Sequence, residues 1–235
     1  MSLRTVIETR YQTSTDGFTG CAEFGLLESG KADRASYERF LANVVRAHLR
    51  SPKILAFVYA MAPPDASADL LHNLLEELGI EEADATSHPD MLINMAKGAG
   101  MGDLLPQLEQ RANEDLRQFI VDPLLYGTLK EVGLAALAEM VSFEYMLSRT
   151  ASRIAAALHK HMGLSEEALA WFSHHAEVDS AHAAQGMTRL EQYIAYYDFS
   201  ADDTETILDM ALRENVFIKR YFGELALANA TLMTG

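Results

Sequence analysis

Helix breakers are so sparse in this chain that it has few ways to fold. Fourteen glycines and six prolines among 235 residues leave long uninterrupted stretches. These carry apolar residues at the three- and four-residue spacing of a helix face, and none shows the alternation of a strand. The most demanding stretch runs from Asp122-Pro123 to Met162-Gly163 without an internal proline. A helix of that length is stable only with its apolar stripe packed on other helices, which predicts an all-α bundle.

The other segments agree. Residues 32–50 place Tyr37, Leu41, Val44 and Val45 along one stripe. Pro63-Pro64 ends the helix carrying ILAFVYAM, because tandem prolines remove donors and clash with the preceding turn. ADLLHNLLEELG stops at Gly79, and Pro89 opens the next helix beyond a polar connector. Residues 102–119 form another, and Ser165 and Ser200 cap the last two. The reading is a single domain over residues 1–235 with about seven helices, and Cys21 lies before the first of them.

Nineteen Lys and Arg against 34 Asp and Glu give a net charge of −15. Such a surface repels phosphate backbones and anionic lipid, so neither nucleic acid nor membrane is expected as a partner. No apolar run approaches the roughly 20 residues that span a bilayer. MSLRTVIETRYQ has no apolar signal core, and one cysteine makes no internal disulfide. A soluble, cytoplasmic protein is expected.

The chemistry concentrates in HAEVDSAH (175–182). Spacings of four and three put His175, Asp179 and His182 on one helix face, in line with Trp171 and Phe172 on one side and Leu190 on the other. Burying two imidazoles and a carboxylate is costly unless a metal ion or a closed hydrogen-bond network satisfies them. Imidazole with carboxylate suits iron, manganese or zinc. Glu144 adds a carboxylate on the apolar side of the long helix, with Leu137, Met140, Val141, Leu147 and Ala151. It must be protonated, paired or metal-bound, and Arg149 and Arg153 are the nearby cations. In LLHNLLEELG, Glu77 shares a face with Leu70 and Leu74, whereas Glu76 falls with His72 and Asn73 on the polar side. His88 follows at a helix start. Di-iron carboxylate bundles draw on this inventory of inward carboxylates and histidines from facing helices.

In order and spacing, NLLEELG (73–79), HPDML (88–92), SFEYMLSRTASRI (142–154) and FSHHAEVDSAHA (172–183) resemble the haem-oxygenase-like di-iron oxidases. These belong to the superfamily that also holds the thiaminase-like and pyrroloquinoline-quinone-synthesis proteins. The resemblance implies a bundle of about seven helices around a metal pocket and a homodimer. It implies Fe2+, one ion or two, held by Glu77, His88, Glu144, His175, Asp179 and His182, with Glu81 as a substitute for Glu77. It also implies O2 activation on a small organic acid or amine. His174 points about 100° away from His175 and is left out. His48 lies on the inner face of its helix, and Tyr193, Tyr196, Tyr197 and Phe199 read as packing. Two other readings use the same residues: a cofactorless enzyme working by acid–base chemistry, and a non-catalytic helical binding protein with a structural polar core.

Overall fold

The computed structural model describes the backbone of residues 2–80 and 85–234, and their side chains except 178–182 and 231–234. Among the described residues all regular structure is helical. The helices are α1 (Leu3–Gly20), α2 (Ala22–Ser29), α3 (Arg34–His48), α4 (Ser51–Ala60), α5 (Pro64–Glu77), α6 (His88–Gly98), α7 (Leu105–Leu116), α8 (Leu129–Met162), α9 (Ala170–Tyr196), α10 (Ala201–Ala211), α11 (Val216–Tyr221) and α12 (Glu224–Thr234). None of them is long and apolar enough to cross a membrane.

The all-α expectation holds, but with more helices than seven. Two of the additional ones, α1 and α2, precede residue 32. Their stripe is diluted by threonines and glycines, yet Ile7, Tyr11, Thr15 and Phe18 recur at helical spacing and are buried. The long helix starts at Leu129 rather than at Asp122-Pro123. Thr128 caps it: its hydroxyl accepts from the Glu131 N–H, and the Glu131 carboxylate accepts from the Thr128 N–H at 2.7 Å. This reciprocal cap outcompetes a proline start. Ser165 caps only a turn, its hydroxyl accepting from the Ala168 N–H at 3.2 Å, and α9 begins at Ala170. The final segment breaks into α10, α11 and α12. Glu214 (φ 54°) and Asn215 (φ 50°) adopt left-handed backbone at the first break, and Gly223 (φ 93°) at the second.

Helix α8 is the hub, packing on α1, α2, α4, α9 and α10. Its contact with α9 is the most extensive between any two described helices. Gly133 makes one close approach possible, since a Cβ there would lie 2.1 Å from Tyr193 Oη. That hydroxyl donates to the Lys130 carbonyl at 3.1 Å. Tyr193 is fully buried, as expected of packing, whereas Tyr196 is largely exposed.

Candidate functional site

One face of α8 lines a cavity of about 110 Å³ with Ala136, Glu139, Met140, Phe143, Glu144 and Leu147. These positions follow helical spacing, so a single stripe carries apolar side chains down its middle and one carboxylate at each edge. At the Glu144 edge, α5 contributes Asn73, Glu76 and Glu77, α6 contributes His88, and α9 contributes His174 and His175. Glu77, His88, Glu144 and His175, four of the six side chains expected as ligands, therefore line one cavity. Asp179 and His182 have side chains outside the described residues, and Glu81 lies outside them altogether.

Local structure accounts for each placement. Glu77 is the last residue of α5, where Ser51 Oγ donates to its Oε2 at 2.6 Å. Its Oε1 stands 2.9 Å from His88 Nδ1, an ion-pair distance without hydrogen-bond alignment. Burial opposes ionisation of Glu77, but His88, Ser51 and His48 together hold its pKa below the usual carboxylate value. Burial likewise works to lower the pKa of His88, and the Glu77 and Glu76 carboxylates more than offset this and leave it raised. His88 opens α6 just after the N-cap Ser87.

His175 Nδ1 lies 2.7 Å from the Trp171 carbonyl, one turn back on α9. A carbonyl only accepts, so the proton sits on Nδ1 and the lone pair on Nε2. Burial, reinforced by neighbouring His88, holds the His175 pKa well below its ordinary value and keeps the ring neutral. The Trp171 ring packs 4.2 Å from that of His175, centroid to centroid. Burial pushes the Glu144 carboxyl up to about 8; the Arg189 guanidinium works against this, and Glu77 and Glu76 add to it.

Two polar atoms here are sealed from solvent with neither a hydrogen-bond nor an ion-pair partner, His88 Nε2 and Glu144 Oε2. Unsatisfied buried polar atoms are rare in folded proteins and call for an occupant or a reason. Their nitrogen and oxygen chemistry fits a first-row divalent cation. As the side chains stand, no three His, Cys, Asp or Glu among the described residues are grouped closely enough to hold an ion.

The sequence reading omitted two residues that the structure adds to this end. Glu76, assigned to the polar face, and His174, left off the inner face, both line the cavity, with His174 Nε2 3.2 Å from Glu76 Oε1. Asn73, also read as polar-face, is buried. In the last turn of α5, Glu76 meets His174 of α9 while Glu77 turns to His88 of α6 and Ser51 of α4.

The two cations named near Glu144 in the sequence do not reach the cavity, and other arginines line its far end. Arg149 lies over the Tyr145 ring at 3.5 Å, Arg153 pairs with Glu28 at 2.7 Å, and neither lines the cavity. The cations that do are Arg46, Arg50 and Arg220. Arg46 grips Asp115 through two contacts of 2.5 Å, and Arg220 meets Glu139 at 3.1 Å. Burial raises the Glu139 pKa, with Arg220 opposing. His48 lies between the two ends, its Nε2 2.7 Å from Tyr221 Oη, and burial lowers its pKa to about 3.

Sequence comparison is consistent with this geometry. The family described as iron-containing redox enzyme matches residues 38–214, a span that includes every side chain expected to bind metal. No curated protein matches the chain.

Proposed function

The chain belongs to the haem-oxygenase-like family of iron-containing redox enzymes, and from that premise we propose that it is a non-haem iron oxidase acting with O2 on a small organic acid or amine. One or two ferrous ions would be held by Glu77, His88, Glu144 and His175, with Asp179 and His182 completing the set. The observation that carries the reading is the meeting of four such side chains, from α5, α6, α8 and α9, at one cavity where His88 Nε2 and Glu144 Oε2 are buried without partners. Bound iron would supply electrons to dioxygen and a place for it beside the substrate.

The chain's own groups prepare that site. The hydrogen bond to Trp171 leaves the lone pair of His175 Nε2 free for a metal, and Ser51 fixes one oxygen of Glu77. Such supporting contacts orient ligands and raise their affinity for metal. Trp171 and Phe143 pack on His175 and His48 and keep bulk water from this wall. The cavity volume favours a small or slender substrate, and Arg46, Arg50 and Arg220 among Asp115 and Glu139 offer partners to a charged group at its far end.

Anaerobic titration of the metal-free protein with ferrous iron, followed by exposure to O2 under visible spectroscopy, tests the reading. Uptake of one or two ions, lost in Glu144→Ala, with an oxygen-dependent absorption change, is the expected result. Absence of specific uptake overturns it and favours the cofactorless acid–base enzyme.

A further inference from the structure

Arg189 on α9 is only 2% exposed. A guanidinium does not shed its proton, so burying one demands strong partners. Its Nη2 reaches two neutral amide oxygens, Gln185 Oε1 at 3.0 Å and Asn73 Oδ1 at 3.4 Å, and its Nε has no partner. Across the α8–α9 contact Glu144 has the complementary deficit, since its Oε2 is buried and unpartnered. Gly186, one turn before Arg189, lets the two approach. A Cβ at this position would lie 2.8 Å from Val141 Cγ2 and 3.1 Å from Glu144 Oε2. Arg189 is also the cation acting most strongly on Glu144. It does not line the cavity, whereas Asn73 and Glu144 do.

We propose that Arg189 is a positioning residue: pinned by Asn73 and Gln185, its guanidinium stands behind Glu144 as the counter-charge that keeps this carboxylate turned toward an incoming cation. The inference deepens the proposed function and rests on Glu144 being a metal ligand. Asn73 extends the same support to the cavity wall, so one cation ties α5 to α9 beside Glu144.

The test is a titration with Co2+, whose visible bands report its ligands, on the native chain, Arg189→Met, Arg189→Lys and Gln185→Ala. Melting temperatures without metal are measured for these and for Arg189→Met in the native and Glu144→Gln backgrounds. Arg189→Met should weaken Co2+ binding by about 10–100-fold, the range typical of lost ligand support. Arg189→Lys should recover most of it, which a purely shape-filling role would not allow. Gln185→Ala, at an exposed position that folding tolerates, should weaken binding a few-fold, and it carries the test if Arg189→Met does not fold. Without metal and at pH 9, where the Glu144 carboxyl is ionised, Arg189→Met should cost more melting temperature in the native background than in Glu144→Gln. Equal costs in the two backgrounds, or native-like Co2+ binding in both Arg189→Met and Gln185→Ala, overturn the proposal. A native chain that takes up no Co2+ overturns the metal reading instead, and the metal-free comparison still decides the role of Arg189.

Discussion

Replacing Glu144 by glutamine should make the metal-free protein more stable, and increasingly so as pH rises. The carboxyl titrates near its ordinary 4.5 in the unfolded chain and near 8 in the fold, chiefly because burial penalises its charge. Below pH 4.5 both states hold the proton and the group contributes nothing. Between 4.5 and 8 the unfolded chain has released a proton that the folded chain retains, so stability falls as pH rises, by about 1.4 kcal/mol per pH unit. Above about 8 the loss levels off at about 5 kcal/mol, which rivals the whole stability of a modest domain. Glutamine keeps the shape and cannot ionise. Urea unfolding of chelator-treated protein, followed by circular dichroism between pH 5 and 9, reads the effect. The difference between the native chain and Glu144→Gln isolates this one carboxyl, because every other titrating group is common to both. A difference that stays flat across that range would refute the reasoning. Added divalent metal should abolish the alkaline loss in the native chain, since it favours the ionised form.

His48 gives the opposite pH sign. Burial lowers its pKa from 6.5 to about 3, so its contribution is present above 6.5 and is lost as pH falls toward 3, by about 5 kcal/mol at most; His48→Gln should flatten the acid limb of the stability profile, and an unchanged limb would count against it. Gly133→Ala forces a methyl group against Tyr193 Oη and should cost about 1–3 kcal/mol in thermal unfolding. Tyr193→Phe in that background should return part of the loss, and no recovery would mean that the clash lies elsewhere. Thr128→Ala removes half of the reciprocal cap on α8 and should cost about 1 kcal/mol by urea unfolding; a neutral result would place the start of α8 at an earlier residue.

The Glu144 end of the cavity was more legible in the sequence than the rest, for a local reason. Glu144, His175 and Glu77 interrupt apolar stripes, and a polar residue on an apolar face is visible one helix at a time. Family membership and the all-α class followed from the same patterns. His174 and Glu76 were missed because a cavity formed where helix ends converge accepts side chains from a wider arc than one stripe. Arg46, Asp115, Glu139 and Arg220 come from α3, α7, α8 and α11, and nothing local marks them as neighbours; only the tertiary packing pairs them. The α1 helix was hidden by its polar composition. The late start of α8 turned on a capping competition between Asp122-Pro123 and Thr128 that apolar periodicity does not register.

Because α8 and α9 follow one another through a short connection and make the largest helix–helix contact, they form a hairpin whose contacts close only a modest loop of chain. Glu144 and His175 ride on that hairpin, while Glu77 and His88 ride on α5 and α6, far away along the chain. Loop-closure entropy therefore favours assembly of one half of the site before the other. Pulsed hydrogen exchange during refolding should show α8 and α9 protected first, with α5 and α6 docking onto a half-made site; simultaneous protection of all four would refute this order.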